Sequence, residues 1–255
     1  MLAEDRRRKI MELLDESGSV IVGNLSTLFK VTEETIRRDL EHLGRDGYLT
    51  RTHGGAVKNP LDQQEVAFHI RNMRNHQEKQ QIGKKTLDFI ENGEVIALDA
   101  STTALQVAHV LKESTKENIV VITHALKVVM MLADNANITV ISTGGILDHR
   151  TMSFIGPLAE NALASYNIKK AFVSCKGLAI DEGITESTDV QARIKECIIK
   201  GAKQIFMLAD HEKFGKAALA TVAPVTVINK IITDKGSTEE ALNRFRSLGI
   251  EVVIS

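Results

Sequence analysis

Two adjacent arginines, Arg37 and Arg38, lie in a stretch of sequence whose apolar residues recur every three or four positions. Thr32 precedes the stretch and is a suitable N-cap, because its hydroxyl can accept a hydrogen bond from the first turn of a helix. The pattern predicts an amphipathic helix whose inward-facing residues are Ile36, Leu40 and Leu43. Arg38 then points away from the apolar face and Arg37 flanks it, so the helix carries two guanidinium groups that solvent can reach.

Guanidinium groups beside small hydroxyl residues on one exposed helix have the chemistry needed to bind DNA. A major groove admits a single helix, whose exposed N-terminal residues meet base edges while neighbouring arginines bind phosphates. We expect Thr35 and Arg38 to contact bases and Arg37 to contact the phosphate backbone. The alternative is that Glu34 and Arg38, four positions apart, form an exposed ion pair on a solvated helix.

The elements around this helix are those of a winged helix-turn-helix. A helix over residues 4–16 ends before Gly18, and a β-branched run at residues 20–22 leads into a second helix. The apolar face of that second helix is predicted to hold Leu25, Leu28 and Phe29. Residues 48–51 and 56–58 then read as two short strands, joined by a turn in which glycine permits the backbone to reverse. The residues expected at the DNA interface are Thr32, Glu34, Thr35, Arg37, Arg38, Arg51, His53, Gly54 and Gly55.

A second polar group consists of Asp99, Ser101, Thr102 and Thr103, which follow one apolar run and precede a helical pattern. Hydroxyl groups and unbonded backbone N–H groups at the start of a helix form an anion site, so a phosphate fits there. The alternative is simple N-capping of the helix by Ser101 or Thr102.

The chain beyond about residue 76 alternates apolar runs with amphipathic helices. The runs lie at residues 95–99, 119–123, 138–142, 170–175, 204–209, 225–233 and 251–254. Continuous apolar strands with helical connections predict a mainly parallel sheet covered on both faces, and hence an α/β fold. We therefore divide the chain into a winged helix-turn-helix domain at residues 1–58, a linker at residues 59–75 and an α/β domain at residues 76–255.

Composition narrows the class of protein. The 255 residues are 43% hydrophobic and 25% charged, and no apolar stretch approaches the roughly 20 residues of a membrane span. Two cysteines without metal-ligand spacing, and a charged first helix in place of a signal peptide, indicate a cytoplasmic protein with no disulfide framework, metal or cofactor. The net charge is -1, and residues 1–58 hold ten Lys and Arg against ten Asp and Glu. Any affinity for DNA must therefore come from the placement of charges.

At this point the chain resembles a known family. The segment from Arg6 to Val57, with Thr35-Ile36-Arg37-Arg38-Asp39-Leu40 and the wing His53-Gly54-Gly55-Ala56, is similar to the DNA-binding domain of DeoR family transcriptional regulators, and the resemblance continues to the C-terminus. The resemblance implies a sensor domain similar to the ribose-5-phosphate isomerase and glucosamine-6-phosphate deaminase folds, which recognises a phosphorylated sugar or a related metabolite. Ser101 stands where the family usually has glycine, which adds a side chain near the anion.

The resemblance also implies further residues of the effector site, all at predicted strand ends where open parallel sheets bind ligands. With the group at residues 99–103, the expected set is Asp99, Ser101, Thr102, Thr103, Thr123, His124, Gly144, Gly145, Lys176, Gly177, Glu186, Lys195, Asp210 and Lys213. His124 stands where the family more often has asparagine. For Lys176 and Lys213 the alternative is a surface charge beside a strand, and Cys175 is expected to be a small buried residue, since no activating base stands near it in the sequence.

These patterns favour a repressor of a carbohydrate operon, controlled by a phosphorylated sugar. One winged helix covers half of an operator site, so a homodimer or homotetramer on double-stranded DNA is expected, with no membrane partner and no catalytic residues. The alternative is a sugar-phosphate isomerase or deaminase with an added N-terminal domain. Such an enzyme needs a carboxylate base, whereas Ser174-Cys175-Lys176-Gly177 occupies the matching place and leaves only Glu186 as a candidate. A protein-interaction module would leave Arg37, Arg38 and the wing unexplained.

Overall fold

The computed structural model describes residues 2–45, 48–58 and 68–255. The chain divides into two compact units, the N-terminal unit Met1–Arg74 and the C-terminal unit Asn75–Ser255. Of the predicted linker, residues 59–67 lie outside the described residues, whereas Phe68–Met73 form a helix. The limits 1–58 and 76–255 for the two domains stay a prediction. Among the described residues, every helix is too short or too polar to cross a membrane.

The N-terminal unit contains the three predicted helices and a wing. Its described elements are α1 (Ala3–Ser17), β1 (Ser19–Ile21), α2 (Val22–Phe29), α3 (Glu33–Arg45), β2 (Leu49–Arg51), β3 (Gly55–Lys58) and α4 (Phe68–Met73). The β-branched run before the second helix forms β1, which pairs antiparallel with β3, so the described wing sheet has the order β1-β3-β2. This pairing joins the wing to the start of the helix-turn-helix.

One apolar core holds these helices together, and its fully buried members include Ile10, Leu14, Ile36, Leu40 and Leu43. The predicted face of α2 is wrong at Leu28, whose side chain is 59% exposed. Val22 and Leu25 are buried and Phe29 packs against the same core, so the inward face of α2 is centred roughly 100° around the helix from Leu28. Ile70 of α4 is also buried in this core.

The C-terminal unit is built on a parallel sheet with helices between its strands. Its helices are α5 (His76–Thr86), α6 (Thr102–Glu113), α7 (Leu126–Leu132), α8 (Pro157–Ala164), α9 (Asp189–Gly201) and α10 (Glu239–Arg246), with single 3-10 turns at Leu87–Phe89, His211–Lys213 and Val225–Val227. The strands are β4 (Val95–Leu98), β5 (Ile119–Thr123), β6 (Ile138–Ser142), β7 (Ile146–Asp148), β8 (Ser153–Ile155), β9 (Ile168–Val173), β10 (Gly177–Ala179), β11 (Gly183–Glu186), β12 (Ala202–Leu208), β13 (Ala220–Ala223), β14 (Lys230–Thr233) and β15 (Glu251–Ile254).

In residues 75–255, all of which the structure describes, seven of these strands form one sheet in the order β15-β14-β12-β9-β4-β5-β6. Every neighbouring pair in it is parallel, which confirms the mainly parallel α/β class. The predicted strand at residues 225–233 is too long, because only Lys230–Thr233 pair. Pro224 fixes the backbone just before Val225, and Val225–Val227 form a turn of 3-10 helix instead of a strand. The Asn229 side chain then accepts a hydrogen bond from the Ile205 N–H at 2.7 Å, next to the point where β14 begins.

Two small antiparallel structures lie beside the parallel sheet, and the sequence did not predict them. One is the sheet β10-β11-β13 and the other the hairpin β7-β8. Their strands are three or four residues long, which is too short for apolar alternation to be read reliably. The first of them brings Glu186, at the end of β11, towards α9.

Candidate functional site

The first candidate site is the exposed face of α3. The Thr35 N–H donates to the Thr32 hydroxyl at 3.3 Å, so Thr32 caps the helix as predicted, and the two threonine hydroxyls lie 2.9 Å apart. Thr32 is exposed and Thr35 is half-buried. The start of the helix thus presents hydroxyl groups where a recognition helix meets base edges.

Arg37 and Arg38 of α3 each pair with a glutamate of the preceding turn. Arg37 donates to Glu33 at 2.5 Å, and Arg38 donates to Glu34 at 3.3 Å. The alternative ion pair considered for Glu34 and Arg38 therefore forms. The Arg38 side chain is 77% exposed, and such an exposed pair is worth little, so it is no obstacle to binding a phosphate or a base.

A buried ion pair fixes the orientation of α3. Asp39 is buried and accepts a hydrogen bond from Arg6 of α1 at 2.5 Å, while Arg7 lies 3.9 Å from the same carboxylate. Sequence reasoning missed this contact, although an aspartate three positions after Ile36 falls on the apolar face of the helix. The pair holds the arginine-bearing face outward.

The wing contributes the remaining residues predicted at DNA. Arg51, His53 and Gly54 are exposed. Gly55 is buried and pairs with β1, and a Cβ atom there would lie 1.9 Å from the Val20 carbonyl oxygen. The structure thus explains glycine at position 55 by close backbone approach, and its contact with DNA stays a prediction.

The second candidate site lies at the carboxyl edge of the parallel sheet, which we call the crevice edge. Five strands adjacent in space, in the order β12-β9-β4-β5-β6, end there, and each is followed by predicted effector residues. These are Asp210 and Lys213 after β12, Lys176 and Gly177 after β9, Asp99 to Thr103 after β4, Thr123 and His124 at the end of β5, and Gly144 and Gly145 after β6. Glu186 and Lys195 join them from β11 and α9.

A buried group of charges lies at the centre of this edge. Lys195 donates to the Asp99 carboxylate and to the Ser174 carbonyl oxygen, and its Nζ lies 2.9 Å from a Glu186 oxygen. Asp99 also accepts from the Ser174 N–H at 3.0 Å and the Ser101 N–H at 3.1 Å. The contacts tie the ends of β4, β9 and β11 to α9.

The protonation states of this group follow from its burial and its pairing. Burial alone would raise the pKa of Asp99, but the charge of Lys195 and three hydrogen bonds hold it below its usual value. Burial would likewise lower the pKa of Lys195, and the carboxylates of Asp99 and Glu186 raise it instead. Both groups are therefore charged at neutral pH, and Asp99 is not a free base.

The N-terminus of α6 is capped by a serine hydroxyl, which was the alternative to an anion site in the sequence. The Ser101 hydroxyl accepts from the Ala104 N–H at 3.0 Å, so Ser101 caps the helix. Thr102 and Thr103 are buried in the first turn. A capped N-terminus still has the positive end of the helix dipole, so an anion site there remains our prediction.

Thr123 and His124 are both buried but differ in their hydrogen bonds. Thr123 is buried, donates to the Leu98 carbonyl oxygen at 2.7 Å and accepts from the Ala125 N–H at 3.0 Å, which joins the ends of β4 and β5. His124 is 2% exposed, and its Nδ1 has no hydrogen-bond partner among the described residues. Burial, partly opposed by Asp99, lowers the pKa of His124 to about 4, so the ring is neutral at pH 7.

Asp210, Lys213 and Cys175 form the other side of the group. Cys175 is buried, which raises its pKa to about 12, and it lies within electrostatic reach of Lys213, Glu186 and Lys195. A thiol with so high a pKa is a packing residue. Asp210 is 1% exposed; its Oδ1 accepts from Asn75 and from the Glu212 N–H, both at 3.1 Å, and its Oδ2 has no hydrogen-bond partner among the described residues.

Glycines at the crevice edge allow close backbone approach. Gly144 and Gly145 have φ values of 62° and 117°, and a Cβ atom at Gly145 would lie 2.8 Å from the Ile155 carbonyl oxygen. A Cβ atom at Gly177 would lie 2.4 Å from the Lys216 carbonyl oxygen. These positions need glycine for the fold, and a contact with an effector stays a prediction for each.

Sequence reasoning missed two residues of this region, Asn75 and Lys79. Asn75 bonds to Asp210, and the buried Lys79 of α5 acts electrostatically on the same carboxylate. Neither residue belongs to a strand end, and Asn75 fell within the predicted linker. Sequence pattern contains no signal that would have placed them here, because the contact spans 135 residues.

Comparison with known proteins gives matches over both units. Residues 6–60 match the model of the DeoR-like helix-turn-helix domain, and residues 74–235 match that of the DeoR C-terminal sensor domain. The HTH-type transcriptional regulator YulB of Bacillus subtilis is 40% identical over 236 residues, 92% of this chain and 90% of that protein. The transcriptional repressor AccR of Agrobacterium fabrum is 34% identical, with 92% and 90% covered, and the L-fucose operon activator of Haemophilus influenzae is 32% identical, with 90% and 91% covered.

Solved structures show more distant likeness. The full-length sorbitol operon regulator SorC of Klebsiella pneumoniae aligns with 96% of this chain and 99% of its own at 12% identity and a TM-score of 0.43. The ribose 5-phosphate isomerase A of Methanocaldococcus jannaschii aligns with 55% of this chain and 54% of its own at 15% identity and a TM-score of 0.40.

Proposed function

This chain belongs to the DeoR family of transcriptional regulators, and on that premise we propose that it represses a carbohydrate operon under the control of a phosphorylated sugar. The observation that carries the proposal is the crevice edge, where polar segments follow five adjacent strands of a parallel sheet. Ligands of open α/β sheets bind at that edge. The same chain carries an arginine-bearing helix exposed in the manner of a DNA reader, so sensing and binding reside in one molecule.

In the DNA-binding half, Thr35 and Arg38 read bases while Arg37, Arg51 and His53 bind phosphates. Thr32, Glu34 and Gly54 complete the exposed surface, with Gly55 fixing the wing. Because residues 1–58 are balanced in charge, one copy binds weakly, and useful affinity needs two copies on a two-fold operator. We therefore propose a homodimer or homotetramer acting in the cytoplasm.

In the sensor half, the start of α6 takes the phosphate and the opposite side of the crevice takes the sugar. Thr102 and Thr103 lie at the positive end of the helix dipole, and Lys213 and Lys176 supply positive charge. Asp210 Oδ2, which has no hydrogen-bond partner in the part of the chain that the structure describes, suits a hydroxyl group of the sugar and repels a phosphate. The effector regulates by linkage, because it binds the two DNA-affinity states of the protein unequally.

Two parts of this proposal, that the protein is a repressor and that it controls a carbohydrate operon, rest on the names of its relatives. AccR is a repressor, whereas the relative named for the L-fucose operon is an activator. We propose repression because AccR has the higher identity of the two, and a carbohydrate operon because of the fucose regulator.

An enzymatic role is the less favoured candidate. Glu186 is the one carboxylate that the sequence offered as a base, and it lies 2.9 Å from the Nζ of the buried Lys195, so it is part of the buried charge group rather than facing a substrate alone. A turnover assay with pentose and hexosamine phosphates tests this alternative, and clear catalysis would reverse our ranking.

The proposed division of labour on α3 is tested by two neighbouring substitutions. Arg38→Ala should lose discrimination between a selected operator and random duplex, since it removes a base contact, usually worth about 1–3 kcal/mol. Arg37→Ala should weaken binding to both duplexes alike and lower the salt dependence. Equal losses on both duplexes for both variants would refute the assignment, and absence of any selective binding by the wild type would refute the regulator.

A further inference from the structure

Asn75 is the first residue of the C-terminal unit and the point where the chain enters it. It precedes α5 with a left-handed backbone, φ 47° and ψ 42°, and its carbonyl oxygen accepts from the Lys79 N–H at 3.0 Å. A left-handed conformation is uncommon for a residue with a side chain, although asparagine adopts it more readily than most. The backbone hydrogen bond and the tolerance of asparagine for this conformation therefore stabilise the turn without any contact of the Asn75 side chain.

The Asn75 side chain is bonded into the crevice edge. Its Nδ2 donates to Asp210 Oδ1 at 3.1 Å, across 135 residues of sequence. Asp210 is fully buried, lies within electrostatic reach of Lys213 and Lys79, and keeps Oδ2 without a hydrogen-bond partner among the described residues. A donor that binds the second oxygen of such a buried carboxylate shares its negative charge and so alters the strength of the hydrogen bonds at the first oxygen.

On the other side of Asn75 the chain leads directly into the N-terminal unit. Ile70 of α4 is buried in the same core as Ile36 and Leu40 of the recognition helix, and Met73 packs against it. The His69 ring also lies 5.8 Å, centroid to centroid, from the His42 ring of α3. The helix that precedes Asn75 is thus part of the packing that orients α3.

We propose that Asn75 is a positioning residue that relays the state of the crevice to the DNA-binding unit, through its hydrogen bond to Asp210 and its direct connection to α4. An effector hydroxyl that donates to Asp210 Oδ2 changes the strength of the hydrogen bond that this carboxylate accepts from Asn75. Asn75 directly precedes α5 and is joined to α4 through Arg74, so the change reaches α4 along the chain. The relay rests on the proposed function in that the crevice is taken as the effector site.

The test compares Asn75→Gly with Asn118→Gly in the full-length chain. Glycine permits the left-handed turn and removes the side-chain amide, but it also frees the backbone, so a control with the same backbone change is needed to assign the effect to the hydrogen bond. Asn118 is the matched control, because it is an exposed asparagine with φ 57° in the same unit. Hydrogen exchange measured without DNA or effector makes the result independent of whether the chain binds either.

In Asn75→Gly the amides of residues 70–74 should exchange at least about threefold faster than in the wild type, while most of the C-terminal unit is unchanged. Asn118→Gly should leave residues 70–74 as they are. Binding to an operator selected by the wild type should also change at least about threefold in Asn75→Gly and not in the control. Unchanged exchange at residues 70–74, or a rise spread evenly over the C-terminal unit, would overturn the relay, as would the same effect in the control. Should Asn75→Gly fail to fold, Asp210→Asn removes the charge on the acceptor and is read in the same way.

Discussion

Replacing Lys195 with methionine removes the cation that, among the described residues, contacts both the buried Asp99 and the half-buried Glu186. The Lys195 ammonium donates hydrogen bonds to the Asp99 carboxylate and to the Ser174 carbonyl oxygen, and its Nζ lies 2.9 Å from a Glu186 carboxylate oxygen. Methionine keeps most of the length and apolar volume of the lysine stem. The substitution therefore tests the charge and the hydrogen bonds of Lys195 with little change in packing.

The expected loss is large because the carboxylates stay behind. Removing one partner of a buried ion pair typically costs about 3–5 kcal/mol of unfolding free energy, since the remaining charge has neither water nor a counter-ion. Asp99 is fully buried and Glu186 half-buried, so most of the penalty falls on Asp99. The two backbone N–H groups that donate to Asp99 reduce the penalty without cancelling it.

The loss should depend on pH with a definite sign. In the wild type the pKa of Asp99 is below its usual value, so the stability from this pair is present at neutral pH and is lost only as the pH falls through that low pKa. In Lys195→Met, burial without a counter-ion raises the pKa of Asp99 above its unfolded value of about 4. The destabilisation is then absent at low pH and grows as the pH rises, so the difference from wild type is larger at pH ~7.5 than at pH ~4.5.

Urea unfolding followed by far-ultraviolet circular dichroism, at one protein concentration and at both pH values, measures this difference. Lys200→Met is the matched control, because Lys200 lies on the same helix and pairs with Glu196 at 2.6 Å on an exposed surface. The control should unfold as the wild type does. A loss for Lys195→Met below about 1 kcal/mol at the higher pH, or an equal loss at both pH values, would refute the counter-ion role.

Three further predictions concern the recognition helix and the crevice. Because the exposed Arg38–Glu34 pair is itself weak, Glu34→Gln acts by removing a negative charge beside the DNA, so operator affinity in a fluorescence-anisotropy titration should rise; a fall would show that Glu34 itself binds DNA. Asp39→Ala leaves the buried Arg6 without its carboxylate partner among the described residues, so the free energy of unfolding measured by calorimetry should fall by about 3–5 kcal/mol, with a smaller loss for Asp39→Asn. The pKa of His124 is about 4 in the folded protein and about 6.5 in the unfolded chain, so protonation favours the unfolded state and the free energy of unfolding falls as the pH drops below about 6.5. His124→Asn should therefore remove about 2–3 kcal/mol of the stability that the wild type loses between pH ~7 and pH ~4.5. Parallel curves of stability against pH for the two proteins would contradict this.

Much of the architecture was predictable because it depends on local periodicity. Ile36, Leu40 and Leu43 are fully buried as their spacing requires, and Thr32 caps α3. The apolar runs of the C-terminal unit also predicted its parallel sheet. Leu28 was misplaced because an eight-residue helix gives two possible apolar faces and only the tertiary core selects one.

The contacts within the candidate sites were harder to predict because they join distant parts of the chain. Strand ends placed Asp99 and Asp210 at one edge of the sheet, since all parallel strands end on the same side. The pairing of Asp99 with Lys195 spans 96 residues, and that of Asp210 with Asn75 spans 135. Periodicity contains no information about such pairs; they depend on how α5 and α9 pack on the sheet.

The central claim is that a phosphorylated sugar bound at the crevice edge controls binding to operator DNA. It is tested most directly by the dissociation constant of the full-length chain for an operator selected from random duplexes, with and without each member of a panel of sugar phosphates. We predict that at least one member weakens operator binding about tenfold or more, and that Thr102→Ala and Lys213→Ala abolish this response while the basal affinity is unchanged. An operator affinity that no sugar phosphate alters, or a response that persists in both variants, would contradict the claim.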